Sequence, residues 1–109
     1  MSNLTDVIDD RGFIKTTVRF FASFKQITKK RELEIEIKED STIFQLLEKL
    51  FDQFGPLREQ IFDENNMLNE WIQILKNGRS IKFLDGLETK LTDGDVIALF
   101  PPVAGGQLF

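Results

Sequence analysis

Residues 42–56, TIFQLLEKLFDQFGP, carry the clearest secondary-structure pattern in the sequence. Apolar residues recur at intervals of three and four positions, which predicts an amphipathic helix over residues 42–54. Thr42 and Gln45 predict a capping box at the start of this helix, and Gly55 predicts a left-handed stop at its end. We expect the apolar residues of the helix to pack into a core: Ile43, Phe44, Leu46, Leu47, Leu50, Phe51 and Phe54.

The sequence upstream of this helix has the pattern of two paired strands. Residues 13–24, FIKTTVRFFASF, place apolar side chains on both faces, which is typical of a central strand. Residues 32–38, ELEIEIK, alternate acidic and apolar side chains, which indicates a half-buried strand near a sheet edge. The connection between them is short enough for an antiparallel hairpin. We expect its basic residues to lie in a solvated loop: Lys25, Lys29, Lys30 and Arg31.

Downstream of the helix, turn residues separate shorter segments. Residues 57–62, LREQIF, fit one more short turn of helix. Residues 71–76, WIQILK, predict a strand, Asn77-Gly78 predicts a type I′ turn, and residues 79–84, RSIKFL, predict the returning strand.

Residues 95–100, DVIALF, predict the last strand. Asp93 and Asp95 flank Gly94 just before it, and we expect them to shape a turn rather than to act as an acid–base pair. A surface pair between Asp85 and Arg79 would add little stability.

The order strand, strand, helix, strand, short strand, strand predicts an α+β domain in which one main helix packs on a mixed sheet. A ubiquitin-like β-grasp arrangement fits this order, with the first and last strands as a central parallel pair. We expect residues 13–100 to form the domain and residues 1–12 to be a flexible N-terminal arm. Residues 101–109 are expected to be an exposed tail, because two prolines cannot extend a ladder and two glycines offer little packing.

The composition narrows the class of function. The 109 residues include no Cys and no His, so the chain lacks thiolates, the commonest general base and the commonest metal ligand. We therefore expect no enzyme activity and no bound metal or cofactor. The net charge of −4 disfavours a nucleic-acid partner. No membrane-length apolar run and no secretory signal is evident, which predicts a cytoplasmic protein without membrane contact.

Residues 77–106, NGRSIKFLDGLETKLTDGDVIALFPPVAGG, resemble the C-terminal half of the MoaD/ThiS family of ubiquitin-like sulfur carriers. Residues 18–22, VRFFA, and residues 41–50, STIFQLLEKL, are similar to the first strand and the helix of that family. The resemblance is closest to MoaD, the small subunit of molybdopterin synthase, and it extends to the small archaeal modifier proteins.

The resemblance implies that Gly106 is the reactive residue. In this family an activating enzyme related to MoeB, ThiF and the ubiquitin-activating enzymes uses ATP to adenylate the terminal glycine, which is then converted to a thiocarboxylate. The sulfur passes to a molybdopterin precursor in a MoaE-like subunit, to a thiazole or to tRNA. Modifier relatives are instead joined to lysines of target proteins, so carrier and modifier both remain open.

The residues before Gly106 suit entry into a narrow partner site. Prolines keep a segment extended, and glycines let the backbone approach a partner closely. We expect the threaded segment to comprise Pro101, Pro102, Val103, Ala104 and Gly105.

Gln107, Leu108 and Phe109 follow the second glycine, so Gly106 is held in a peptide bond and has no free carboxylate. Three interpretations remain open. A protease removes these residues, as in ubiquitin precursors; or they stay in place in a homologue that is not a carrier; or they are foreign to the natural chain. Permanent retention would leave a plain interaction domain that is never activated.

A candidate partner surface follows the Asn-Gly hairpin. Phe83, Leu84 and Leu87 come close to the sheet face that ubiquitin-like proteins present, and Phe100 directly precedes the tail. An exposed apolar patch would mark a partner site. Core packing fits these four residues equally well, and the sequence leaves both interpretations open.

Overall fold

In a computed structural model, which describes residues 12–102, five strands form one mixed sheet. The order across the sheet is β2-β1-β5-β3-β4. The strands are β1 Phe13–Phe20, β2 Glu32–Lys38, β3 Gln73–Lys76, β4 Arg79–Ser80 and β5 Val96–Phe100.

The first and last strands form the centre of the sheet. β1 and β5 run parallel, with Val18 opposite Ile97, whereas all other neighbouring strands are antiparallel. β2 pairs with β1 over its whole length and lies at the sheet edge. The predicted hairpin, the edge position of β2 and the central parallel pair are all confirmed. The architecture is the predicted α+β ubiquitin-like β-grasp.

The main helix, α2, runs from Ile43 to Gln53 and packs its apolar stripe on one face of the sheet. Its predicted capping box is present. The backbone N–H of Gln45 donates to Thr42 Oγ1 at 3.3 Å, and the backbone N–H of Thr42 donates to Gln45 Oε1 at 2.9 Å. These two bonds satisfy donors that the first helical turn would otherwise leave unpaired.

The buried core lies between the sheet and α2. Alternate residues of the four longer strands point toward the helix, as their burial patterns indicate. Burying one such side chain contributes about 1.5–3 kcal/mol. The buried strand and helix residues include Ile14, Val18, Phe20, Ile35, Ile37, Leu46, Leu47, Leu50, Ile74, Ile97 and Leu99.

The prediction that Phe44 belongs to the core is wrong. This side chain is 37% exposed, and its ring lies 6.0 Å from that of Phe62 at the margin of the core. Phe51 is buried and Phe54 is packed against the core, as predicted. Three- and four-residue spacing places residues on one broad face of a helix, but the edge of that face is still open to water.

The prediction of a strand through residue 24, followed by a loop, is also wrong. β1 ends at Phe20, and a short helix, α1, runs from Ser23 to Thr28. Ala22 turns the chain with a φ of 51°, and Phe24 and Thr28 then share the buried side of α1. This four-residue spacing is helical, but the density of Phe residues hides it within a strand-like run.

Gly55 does not adopt the predicted left-handed conformation. Its φ is −48° and its ψ is −43°, which are right-handed helical values, and Phe54 ends α2 with a φ of −131°. Pro56 then begins a third helix, α3, from Pro56 to Ile61. Proline is favoured at a first helical position because it has no N–H to leave unpaired there. The predicted short helical segment after α2 is confirmed.

The turn at Asn77-Gly78 has the predicted geometry, with φ values of 50° and 86°. The strand that follows is much shorter than predicted, because β4 comprises only Arg79–Ser80. A 3-10 turn over Ile81–Phe83 replaces most of the rest of the predicted strand, and a second 3-10 turn follows over Gly86–Glu88. Within residues 12–102, no helix is both long enough and apolar enough to cross a membrane.

Candidate partner surface at the base of the tail

The tail begins where the central strand β5 ends. Phe100 is the last residue of β5, Pro101 is half-buried and Pro102 is exposed, and neither proline belongs to a strand. The predicted threaded residues Val103, Ala104 and Gly105 lie outside the described residues. The same holds for the acyl site Gly106 and for the extension Gln107, Leu108 and Phe109. Their roles stay predictions.

An aromatic stack lies at the base of this tail. The rings of Phe21 and Phe100 have their centroids 4.3 Å apart and their planes 14° from parallel. The guanidinium carbon of Arg19 lies 5.9 Å from the centroid of the Phe21 ring. Arg19 Nε is 3.7 Å from Glu32 Oε1, in an exposed ion pair that adds little stability.

The stack belongs to the sheet face that points away from α2, which we call the outer face. The register places Arg19 opposite Ala98 and Ala98 opposite Leu75. Most of the apolar groups on the outer face are half-buried, and helix α2 lies on the other side of the sheet. On β1, β3 and β5 near the stack, the outer face presents Thr17, Arg19, Phe21, Gln73, Leu75, Val96, Ala98 and Phe100.

A polar cluster around the buried Asp95 fixes the start of β5. The Asp95 carboxylate accepts hydrogen bonds from the backbone N–H and hydroxyl of Thr92 and from Asn77 Nδ2. Lys76 Nζ lies 3.7 Å from Asp95 Oδ2. Burial alone would raise the pKa of Asp95, but these hydrogen bonds and the Lys76 charge outweigh burial and hold the pKa below its ordinary value.

The neighbouring Asp93 also shapes the turn, since its Oδ1 accepts a hydrogen bond from the Lys15 backbone N–H at 2.8 Å. Both carboxylates therefore take part in the turn, as predicted. Among the ion pairs of the described residues, none joins Arg79 to Asp85.

The four residues of the predicted partner surface do not all lie together. Phe100 is on the outer face, whereas Leu87 packs against the core in a 3-10 turn that contacts α2 on the other side of the sheet. Phe83 is 79% exposed and Leu84 is half-buried. The role of Phe83, Leu84 and Leu87 in partner binding stays a prediction.

The sequence pattern indicated no partner role for several residues in or next to β1 and β3 that lie near Phe100. Phe21, Leu75 and Trp71 were assigned only to predicted strands. Leu75 and Phe100 both fall out of phase with the buried isoleucines of their strands, a pattern that indicates an apolar second face. The sequence pattern does not show which strands are neighbours in the sheet, so it could not bring these residues together.

A β-grasp domain whose central strand continues into a Pro-Pro-Val-Ala-Gly-Gly segment is typical of ubiquitin-like carriers and modifiers. The family model that matches this chain is the ThiS family, over residues 18–106. This chain belongs to the ThiS family.

Some relatives are named as modifier proteins and others as sulfur carriers. The chain is 34% identical over 89 residues to small archaeal modifier protein 3 of Haloferax volcanii, and the alignment covers 82% of this chain and 96% of that protein. It is 28% identical over 67 residues to the sulfur carrier protein CysO of Mycobacterium tuberculosis, and the alignment covers 60% of this chain and 72% of that protein.

The same fold is found in a solved relative. The solution structure of small archaeal modifier protein 1 from Methanosarcina acetivorans has a TM-score of 0.76 and 33% sequence identity, and the alignment covers 86% of this chain and 98% of that chain. The comparisons therefore place this protein among the ubiquitin-like sulfur carriers and small archaeal modifiers.

Proposed function

We propose that this protein is a sulfur carrier whose Gly106 carboxylate is adenylated and then thiocarboxylated. The observation that carries the proposal is the position of Gly106. The family match ends at this residue, which is four positions beyond Pro102 in the sequence and six positions beyond the end of the central strand β5. Every catalytic group is supplied by partner proteins.

The first step frees the carboxylate. A protease hydrolyses the Gly106–Gln107 peptide bond, so that water supplies the new carboxylate oxygen and Gln107 gains a free amine. Without this cleavage the Gly106 carbonyl belongs to an amide, which offers no oxygen nucleophile for adenylation.

Activation and sulfur loading then follow on a MoeB-like or ThiF-like enzyme. A Gly106 carboxylate oxygen attacks the α-phosphorus of ATP, and pyrophosphate leaves. Hydrosulfide, the simplest sulfur nucleophile, attacks the acyl carbon, and AMP leaves with the electron pair of the broken bond. The product is the Gly106 thiocarboxylate, whose sulfur a MoaE-like synthase subunit would pass to a molybdopterin precursor.

Conjugation to proteins is the second candidate function, and the likeness to small archaeal modifier protein 3 supports it. Here the amine of a target lysine attacks the activated Gly106 carbonyl, the amine loses a proton, and an isopeptide bond replaces the bond to the leaving group. Carrier and modifier share the activation step and differ only in the nucleophile that follows.

The length of the tail supports docking of the activating enzyme on the outer face. Gly106 lies four residues beyond Pro102, a span of at most roughly 14 Å. An enzyme that holds Gly106 in its active site must therefore cover the tail base, where Phe21 and Phe100 stack. Half-buried apolar groups beside this stack suit such an interface, because a partner can bury them further.

The activation step is tested with chains 1–106, 1–105 and 1–109 in a pyrophosphate-exchange assay with ATP and a MoeB-like enzyme. We expect exchange with chain 1–106 alone, since only that chain ends in the Gly106 carboxylate. Exchange with none of the three chains would contradict the proposal and leave a non-activated interaction domain. Exchange with chain 1–109 would show that activation does not need cleavage.

A second measurement separates the two candidate functions. With hydrosulfide present, a carrier gains the mass of one sulfur in place of one oxygen at Gly106. In cells, a modifier instead gives conjugates in which Gly106 is linked to lysines. The intact mass of the protein from its native host tests the cleavage directly, and a mass that still includes residues 107–109 would exclude it.

A further inference from the structure

Trp71 is the only tryptophan of the sequence and is 70% exposed, and neither the core nor the hairpin requires it. A large apolar side chain left in water is a frequent feature of partner sites, and tryptophan is among the residues most enriched in binding hot spots. Its neighbour Ile72 is buried, so the backbone at this position is anchored in the core.

The register of β3 and β5 places the backbone of Trp71 near the tail base. Gln73 lies opposite Phe100 in the antiparallel pair of β3 and β5, and Trp71 is two residues before Gln73. Two residues span at most roughly 7 Å, and opposed residues lie roughly 5 Å apart. The Cα atoms of Trp71 and Phe100 are therefore within about 12 Å of each other.

The backbone around Trp71 is held in place. The N–H of Trp71 donates to Asn69 Oδ1 at 2.9 Å, and the N–H of Ile72 donates to the Asn69 carbonyl at 3.0 Å. Lys82 Nζ donates to the carbonyl of Glu70 at 3.3 Å. A fixed backbone lowers the ordering cost of binding through this side chain.

Phe21 therefore lies on the β1 side of the tail base, and the backbone of Trp71 lies on its β3 side. We propose that Trp71 inserts into an apolar pocket of the adenylating enzyme, at the rim of the channel that receives the tail. It thereby sets the affinity of this chain for that enzyme. The short tail supports this choice of partner, because an enzyme that reaches Gly106 also covers the end of the sheet. The proposal rests on the proposed function.

The single tryptophan allows a direct binding test. The chain is labelled with 5-fluorotryptophan, which gives one fluorine NMR resonance, and an unlabelled MoeB-like enzyme is added without ATP. We expect the resonance to shift or broaden as the side chain enters the enzyme. A resonance unchanged at enzyme concentrations that support adenylation would overturn the proposal.

Kinetics give the second readout, with chain 1–106 as substrate in pyrophosphate exchange. Trp71→Ala should raise the KM for the chain at least tenfold and leave kcat unchanged. Trp71→Phe should bring the KM most of the way back to the wild-type value. The matched control is Met67→Ala, since Met67 is 64% exposed in the loop before β3; its KM should stay within twofold of wild type. Circular dichroism confirms that each variant is folded.

The outcomes distinguish this proposal from the function on which it rests. If wild-type chain 1–106 is adenylated and Trp71→Ala has an unchanged KM, the role of Trp71 is wrong and the carrier function stands. If wild-type chain 1–106 is not adenylated by the enzyme, the proposed function fails and the role of Trp71 fails with it.

Discussion

Asn77 and Asp95 are joined by a hydrogen bond of 2.9 Å, in which Asn77 Nδ2 donates to Asp95 Oδ1. Asn77 Oδ1 in turn accepts the backbone N–H of Val96 at 2.8 Å. One side chain of the type I′ turn therefore binds both the last residue before β5 and the first residue of β5. This contact fixes the start of the strand whose other end leads into the tail.

The Asp95 carboxylate predicts a specific loss of stability at low pH. Because its pKa in the folded state is lowered, its contribution is fully present above its unfolded pKa, about 4, and is lost as the pH falls through the folded pKa. Asp95→Asn should lower the free energy of unfolding by about 1–3 kcal/mol at neutral pH. The reason is that an amide cannot accept all the hydrogen bonds that the carboxylate accepts from Thr92 and Asn77. Urea unfolding of the wild type and of Asp95→Asn from pH 7 to pH 2 should show that the difference between their free energies of unfolding shrinks below pH ~4.

The control for this prediction is Asp93→Asn. Asp93 lies in the same turn but is exposed and accepts one backbone hydrogen bond, from Lys15. An amide oxygen can still accept that hydrogen bond, so we expect the free energy of unfolding of Asp93→Asn to stay within about 0.5 kcal/mol of wild type. A gap between wild type and Asp95→Asn that stays constant down to pH 2 would show that the charge of Asp95 is not the cause.

Local features of the fold could be predicted because a few neighbouring residues determine them. The capping box needs only Thr42 and Gln45, and the type I′ turn needs only Asn77 and Gly78. Both are present. The alternation in residues 32–38 predicted an edge strand, because one face of such a strand is wet.

Features that depend on distant contacts could not be predicted in the same way. The helix α1 lies in a run that also fits a strand, and burial of Phe24 and Thr28 against the rest of the domain decides between them. Gly55 accommodates left- and right-handed conformations equally, and the immediate start of α3 selects the right-handed one. The outer face combines β1, β5 and β3, so its members are known only when the sheet order is known.

Gly78 predicts a loss of stability when a side chain is added. Its φ is 86°, and a Cβ built there meets no atom within 4 Å beyond its own chain neighbours, so the backbone conformation alone sets the effect. Gly78→Ala should therefore lower the free energy of unfolding by about 1–2 kcal/mol. Gly55 has right-handed helical angles directly before Pro56, and the ring of a proline crowds the Cβ of a preceding residue in that conformation, so we expect no gain in stability from Gly55→Ala. Urea unfolding measures both variants, and a stabilised Gly78→Ala would contradict the left-handed conformation of Gly78.

The Phe21–Phe100 stack predicts a measurable coupling energy. Phe21→Ala, Phe100→Ala and the double variant form a thermodynamic cycle, and stacked aromatic pairs contribute about 0.5–1.5 kcal/mol beyond their separate burial. We expect the double variant to lose less stability than the sum of the single variants by that amount. The control cycle pairs Phe21 with the exposed Phe83 and should be additive within about 0.5 kcal/mol. Additivity in both cycles would argue against a stack in solution.

Two half-buried leucines test which surface the activating enzyme contacts. Leu75 lies on the outer face in β3, and Leu84 lies next to Phe83 in the segment that the sequence indicated. Leu75→Ala should weaken binding of chain 1–106 to the MoeB-like enzyme by about tenfold, because it removes apolar area at an interface core. Leu84→Ala should change the affinity less than about twofold, within the range of near-neutral contacts.

Isothermal titration calorimetry measures both affinities, and urea unfolding corrects for any lost stability of the free variants. The two substitutions remove the same atoms from half-buried positions, so a difference in affinity reports the location of the enzyme rather than the chemistry of the change. A large effect of Leu84→Ala with none for Leu75→Ala would move the interface to the surface of Phe83 and Leu84. Equal losses would require the enzyme to wrap around the β4 edge of the sheet, because Leu75 faces away from α2 while Leu84 follows the turn beyond β4.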